Sequence, residues 1–318
     1  MRLQAKTSLS RLLFAALLLG AAFASQAATK DPDELTPTQE AQLKKLFAQV
    51  DSRMDAALSV DPKQRAVMES ELKALAAMPD GKARLEAGRA YRQRHAAYYG
   101  AALKRAGVDL AAVARQLQQV LPGHTFQVTA DHMILGQFGE TKAQGSVPPP
   151  ATASTRNLPL SRSASGNCGG PSNRWIAQTG DSMRVESRAV LVAVCTQQGE
   201  LASDFDLTQA SAASLAVRHQ AEVSVEVFGL VGIAMGRARA GVTGASINNS
   251  LSTSAVAPLL WYANRDSSRT VDIAGAQAVG TNGRVVFRTY ASTSGLGNSG
   301  SVSVARLSGI RARLTTTP

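Results

Sequence analysis

Residues Gly166-Asn167-Cys168-Gly169-Gly170 set a cysteine among glycines. A thiolate there could act as a nucleophile if a general base stood beside it. The bases on offer are four histidines, His95, His124, His132 and His219, and the only other cysteine is Cys195. Asp204 and Asp206 flank Phe205 in a turn-rich stretch and could reach a divalent cation together. An exposed loop with one packed Phe is the simpler expectation. Glu222 and Glu226 fall four positions apart on a strand pattern, about 13 Å at strand rise, beyond the separation glycosidase carboxylates use. They read as a solvated face. Gly295-Leu296-Gly297-Asn298-Ser299-Gly300 spells G-x-G-x-x-G, but strand-like Ser301-Val302-Ser303-Val304 follows where dinucleotide binding needs a helix N-terminus. A hairpin turn is expected there. The chain has no G-x-S-x-G elbow, no H-E-x-x-H and no Walker loop, and no Lys after Lys142, so no Ser-x-x-Lys lies beyond it. No cofactor and no metal are expected.

The GNCGG stretch resembles the G-x-C-G-G around the nucleophile of the chymotrypsin-like cysteine proteases of some viruses. The resemblance implies a Cys168 nucleophile, with a His base and an orienting acid upstream on a double β-barrel. The upstream chain instead carries helical patterns, with His95 inside one of them. His219 stands between Val217 and Ala221 on the apolar side of a strand pattern, the place of a core histidine. A disulfide between Cys168 and Cys195 is therefore the first reading. It would add roughly 3 to 4 kcal/mol in the chain-entropy account.

Compartment supports that pairing. Arg2, Lys6 and Arg11 precede the apolar run Leu12–Leu19, and Ser25-Gln26-Ala27 has the small-x-small form of a cleavage site. Residues 1–27 read as a secretory signal peptide, so a bacterial periplasmic or extracellular destination, where thiols oxidise, is expected. The formal charge is +11, or +8 after subtracting the three leader cations. From residue 151 onward every cation is Arg, fifteen against nine Asp and Glu. The planar fork of Arg suits phosphate, sulfate or carboxylate groups, while codon bias on a solvated surface yields the same count.

These residues must be held by two kinds of element. Thr36-Pro37-Thr38-Gln39 has a capping-box form, followed by Leu43, Leu46, Phe47, Val50, Met54 and Leu58 at helical spacing. Asp61-Pro62 opens a second helix, a third spans about Ala83 to Arg105 and stops at Gly107, and Asp109 caps a fourth. Residues 28–122 are thus expected to form an antiparallel bundle of about four helices. Tyr91, His95 and Tyr98 share one face of the third helix, for packing or for stacking a ligand.

Residues 123–165 hold a strand at Thr125–Thr129 and a linker rich in Pro, Ser and Thr, including Pro148-Pro149-Pro150. Cleavage there, with the helices as a removable prosegment, is one option. Residues 166–318 alternate apolar and polar positions along Met183–Cys195, Leu215–Val227, Ala255–Tyr262, Arg269–Ile273, Arg284–Ala291, Ser301–Leu307 and Ile310–Thr315. The fold class expected is α+β multidomain: a helical bundle followed by an all-β antiparallel sandwich or jelly-roll-like domain with one disulfide. The most apolar stretch after the leader, Phe228–Met235, is expected to be a buried central strand, with a membrane-inserting hairpin as the alternative; it is too short to cross a bilayer as a helix.

The leading functional expectation is a non-catalytic exported binding protein. Its β-domain would recognise an anionic glycan or envelope surface, or a protein partner, through Arg237, Arg239, Trp261 and Tyr262. Nucleic acid and a stable membrane span are not expected. A secreted hydrolase with its site on the β-domain, and a membrane-active or self-assembling protein, are the alternatives. Two aspartates among Asp181, Asp204, Asp206, Asp266 and Asp272 meeting in one pocket would favour the hydrolase.

Overall fold

Helix signals and strand signals separate near residue 122, and the elements follow them. The computed structural model describes residues 35–139, 153–168, 172–189, 194–244, 247–295 and 300–318; the expected leader and the triple proline lie outside these. Four helices occur among the described residues: α1 (Pro37–Leu58), α2 (Pro62–Ala77), α3 (Lys82–Ala106) and α4 (Leu110–Val120). Their ends obey local chemistry. The Asp61 carboxylate accepts from Gln64 N at 3.0 Å, and that of Asp109 accepts from Ala111 N at 2.8 Å, each satisfying an amide the first turn leaves free. Gly107 ends α3 in the left-handed region at φ 61°, which glycine adopts without a Cβ clash.

Among the described residues thirteen strands form two antiparallel sheets. The first contains β1 (His124–Val128), β2 (Ile134–Phe138), β10 (Asn248–Ala257), β9 (Ala234–Gly244), β12 (Asn282–Gly295), β7 (Cys195–Asp206) and β4 (Ser161–Cys168), in that order. The second contains β11 (Tyr262–Gln277), β8 (Ala212–Phe228), β13 (Gly300–Thr317), β6 (Met183–Ala189) and β5 (Ser172–Gln178), with β3 (Ser154–Asn157) also paired to β13. The sheets face each other as a sandwich. Val217, His219, Val223, Val225 and Val227 of β8 are buried against Ala238, Ala240 and Val242 of β9 and Phe287 and Ala291 of β12, as alternate residues of two facing sheets must be. Residues Pro37–Pro318 form one compact unit.

Several strand expectations are corrected here. Met183–Cys195 is not one strand: β6 belongs to the second sheet and β7 to the first, and Val190 and Val192 between them lie outside the described residues. Ile310–Thr315 and Ser301–Leu307 are one strand, β13, with a bulge between Ser308 and Arg311 where Gly309 sits at φ 60°. Gly295 ends β12 in the first sheet and Gly300 begins β13 in the second, so these two strands do not pair as the expected hairpin; residues 296–299 of the glycine motif lie outside the described residues.

Phe228–Met235 is likewise not a strand. β8 ends at Phe228 and β9 begins at Ala234, and the connection between them carries the chain from one sheet to the other. β8 and β9 lie in opposite sheets and do not pair as a hairpin. The expected strand Ala255–Tyr262 is also interrupted by a crossing, at Pro258–Trp261, where Leu260 takes φ 54°. The two crossings touch: a Cβ on Gly229 would stand 2.0 Å from Pro258 O, so only glycine lets the backbones meet.

The helices close this end of the sandwich. Tyr91 and Tyr99 of α3 donate their hydroxyls to Leu260 O (2.7 Å) and Leu259 O (3.1 Å). Trp261 stacks on Tyr99 at 4.1 Å and donates its indole N–H to Asp131 O at 3.1 Å. Asp51 of α1 accepts from Ile233 N at 2.9 Å in the other crossing. Burial raises the Asp51 pKa to about 6, because a carboxylate removed from water loses hydration that two backbone amides, Ile233 and Leu259, replace only in part.

Candidate functional site

Across the outer face of the second sheet, register sets polar residues in rows. Asn264, Glu226, Val302 and Arg188 form one row, Asp266, Ser224, Val304 and Glu186 the next, and Ser268, Glu222, Arg306 and Arg184 a third. Successive rows are two residues apart, roughly 6.5 to 7 Å. The turn between α2 and α3 overhangs this face, enclosing a groove of about 520 Å³ whose walls include Arg84, Arg184, Arg306, Glu222 and Asp266.

The overhang is fixed by charge. Arg84, 3% exposed, forks onto the Glu226 carboxylate and also meets Asp80. Tyr262 donates its hydroxyl to Glu226 Oε1 at 2.7 Å, and Arg188 pairs with both Asp80 and Glu186. Burial and the adjacent Glu226 carboxylate raise the Tyr262 pKa, so this hydroxyl stays a donor. The solvated-face expectation for Glu226 is thereby corrected. It is 6% exposed and compensated by a cation from α3, whereas Glu222 remains half exposed, 3.5 Å from Arg306. The helix approaches this closely because Gly88 has no side chain: a Cβ there would stand 2.1 Å from the Tyr262 ring.

Within the groove the hydrogen-bonding groups are of mixed kind. Asp266 is exposed, accepts from the Ser224 hydroxyl, and has no described cation within 4.0 Å. Glu222 supplies a second acceptor, and the guanidinia of Arg306 and Arg184 supply donors; Arg184 is tied to Glu186 at 3.0 Å. Val302 and Val304 form an apolar floor. Of the five aspartates whose meeting would favour a hydrolase, Asp266 alone lines the groove. Among the described residues no cluster of three His, Cys, Asp or Glu side chains comes together.

The residues expected to contact a ligand lie elsewhere, and three are turned inward. Trp261 and Tyr262 are 0% exposed beneath α3. Arg237 is 2% exposed, donating to Tyr290 Oη at 2.8 Å and lying over the rings of Tyr290 and Phe138. Arg239 is half buried, close to Gly139. None of the four lines the groove. The Tyr91, His95 and Tyr98 face is a packing face: His95 lies between Gln64 and Glu71, at 3.0 Å from each, and Tyr98 donates to Leu58 O at 2.9 Å. His219 is a core residue, as expected, and burial lowers its pKa to about 4. Burial, with help from Arg237 and Arg239, lowers that of His124 to about 3. Phe205 is packed while Asp204 and Asp206 are exposed, on the last turns of β7. The backbone register sets Cys168 opposite Cys195, which is fully buried.

No motif marks the groove residues Arg184 and Arg306, and Asp266 stands out in the sequence only as one of five aspartates in the β region. A trace exists in the polar alternation Glu222-x-Ser224-x-Glu226 and Arg184-x-Glu186-x-Arg188, which assigns both sets to an outer sheet face.

No protein-family model matches the chain. No curated protein matches it either. Among solved structures it is similar to TmCBM61 in complex with beta-1,4-galactotriose, at 14% identity over 48% of this chain and 86% of that one, with a TM-score of 0.18. A second is the family 11 carbohydrate-binding module from Clostridium thermocellum in complex with a beta-1,3-1,4-mixed-linked tetrasaccharide, at 13% identity over 48% and 96%, with a TM-score of 0.16. At these scores the likeness carries no argument about this chain.

Proposed function

We propose that this chain is an exported binding protein that holds a hydroxyl-rich, glycan-type ligand in the groove on its second sheet. The carrying observation is the fixed alternation of carboxylates and guanidinia around Val302 and Val304. Each sugar hydroxyl both donates and accepts, so neighbouring acceptors (Asp266, Glu222) and a donor (Arg306) suit it better than a surface of one sign. Most of the arginines here already face carboxylates, which favours neutral glycans over polyanions. The groove's described walls carry no aromatic ring to stack on a sugar, so hydrogen bonds bear the recognition. Calorimetric titration with neutral and uronic-acid oligosaccharides tests this. Saturable binding weakened about tenfold by Asp266→Ala, one charged hydrogen bond's worth, supports it; no binding to any glycan ends it.

Export and a Cys168–Cys195 disulfide belong to the same proposal. Directly opposed antiparallel residues have Cα atoms about 4.5 to 5.5 Å apart, inside the window a disulfide requires. Alkylation of the native protein without reductant should label neither cysteine. The four helices are proposed as an antiparallel bundle retained in the mature protein, because their loss would strand Glu226 and expose Trp261. The mature mass should then correspond to a start near residue 28 rather than near residue 150.

A further inference from the structure

The outer face of the second sheet continues past the groove along β8 and β13, and its charge balance changes on the way. Near the groove the arginines meet carboxylates, Arg306 at Glu222 and Arg184 at Glu186. Four residues farther along β8 from Glu222, about 13 Å at strand rise, Arg218 stands directly opposite Arg311 of β13. Arg313 follows two residues on, opposite Asn157 of β3. All three arginines are exposed. Arg218 reaches Asp272 only at 3.9 Å, and neither Arg311 nor Arg313 has a described carboxylate within 4.0 Å.

The bulge after Ser308 makes this cluster. Before it, odd-numbered residues of β13 such as Ala305 and Leu307 face the core; beyond it, Ala312 and Leu314 do. One extra residue, with Gly309 at φ 60°, therefore exchanges the faces, and without it Arg311 and Arg313 would point into the sandwich. The outcome sets like charges side by side. Directly opposed residues of an antiparallel pair have Cβ atoms about 4.5 to 5.5 Å apart, where like charges destabilise the sheet. Three guanidinia against the one described carboxylate, that of Asp272, leave two positive charges on this patch without an acid partner. Asp181, beside the bulge, is engaged otherwise: its backbone oxygen accepts from Ile310 N at 2.8 Å and its carboxylate from the Thr179 hydroxyl at 3.4 Å. A phosphate monoester matches the excess, carrying close to two negative charges near pH 7 and three acceptor oxygens on one centre. Guanidinium forks take such oxygens in pairs. A sulfate ester has the same shape and one charge fewer.

We propose that Arg218, Arg311 and Arg313 form a binding site for a phosphate monoester. The site is separate from the groove and does not depend on a glycan binding there. Glucose 6-phosphate and glucose 6-sulfate are the probes, alike but for one charge, titrated into the full protein at low salt while NMR follows the side-chain Nε–H signals of Arg311 and Arg313. The phosphate should shift both signals saturably and bind about tenfold more tightly than the sulfate, the factor one charge-assisted hydrogen bond supplies. Arg311→Gln and Arg313→Gln should each weaken binding about tenfold, whereas Arg284→Gln, which removes the same charge from the first sheet, should leave it unchanged. No saturable shift, equal affinity for the two esters, or an equal loss with Arg284→Gln overturns the assignment. Sedimentation with phosphatidylcholine vesicles containing phosphatidic acid then separates the sources of such a group. Retention that Arg311→Gln abolishes assigns a lipid headgroup, and soluble binding without such retention assigns a free phosphorylated molecule.

Discussion

Two arginines, Arg84 on the second sheet's outer face and Arg237 on the first sheet's, are 3% and 2% exposed and solve one problem differently. Arg84 meets the carboxylates of Glu226 and Asp80 and lies over the Phe228 ring at 5.6 Å. Arg237 has no described carboxylate within 4.0 Å; its partners are the Tyr290 and Ser292 hydroxyls and two aromatic faces. A buried cation must be compensated, but ions, dipoles and π faces can all do it. The kind of compensation decides what a mutation leaves behind. Removing a carboxylate strands a charge in a dry place, whereas replacing Arg237 leaves only neutral groups.

The largest effect should come from splitting the pair. Glu226→Leu removes the buried carboxylate on which Arg84 forks, leaving the half-exposed Asp80 as its remaining acidic partner, and should cost about 3 kcal/mol of stability by denaturant unfolding. The double variant Arg84→Met, Glu226→Leu should recover most of that loss, because no charge remains to be orphaned. If the double is no more stable than the single, the two residues are not a coupled pair and the contrast with Arg237 collapses.

Asp51 is a third solution, a buried carboxylate met by backbone amides alone, and it sharpens the contrast through pH. Its folded pKa of about 6 lies above the usual 3.8, so the folded state binds the proton more tightly. Protonation therefore adds stability as pH falls from about 7 toward 4, by about 2 kcal/mol. His219 and His124 act oppositely. Their folded pKa values, about 4 and about 3, lie below the usual 6.5, so their contribution is full above 6.5 and is lost as pH falls through that value toward 4 and 3. Asp51→Asn should accordingly steepen the loss of stability between pH 6.5 and 4. A variant with an unchanged pH profile would remove Asp51 from this set.

Smaller effects complete the comparison. Arg237→Met should cost only about 1 kcal/mol, the loss of its hydroxyl bonds with no stranded charge; a loss near that of Glu226→Leu would show that a hidden ionic partner exists. Arg306→Ala, half exposed on the groove rim, should change stability by less than about 0.5 kcal/mol while weakening glycan binding. Thermal melts beside calorimetry separate the two readouts.

Helices were legible because their signals are local. Asp61, Pro62, Gly107 and Asp109 act within one turn of themselves, and each occupies the cap or first-turn role that its chemistry implies. Strand existence was legible from alternation, but strand ends were not. Phe228–Met235 and Ala255–Tyr262 look apolar enough to continue, and what stops them is the need to cross between sheets, a demand set by residues far along the chain. The burial of Glu226 has the same origin: alternation places it on the outer face, and only the helix packed there, with Arg84 142 residues away, makes that face interior. The scarcity of aromatics makes Trp261 and Tyr262 stand out in the sequence, yet scarcity says nothing about exposure, and both are fully buried.

The amino-acid sequence by itself determined the division into a helical segment and an alternating β region, the helix caps, the core place of His219, and the polar outer faces of β6 and β8. Those properties are set by neighbours within a few residues, through steric limits on φ and ψ, capping and period. Tertiary structure alone decided which polar face becomes a groove and which arginine finds a carboxylate. Each depends on surfaces brought together from distant parts of the chain, where the loss of water makes a missing or present partner worth several kcal/mol.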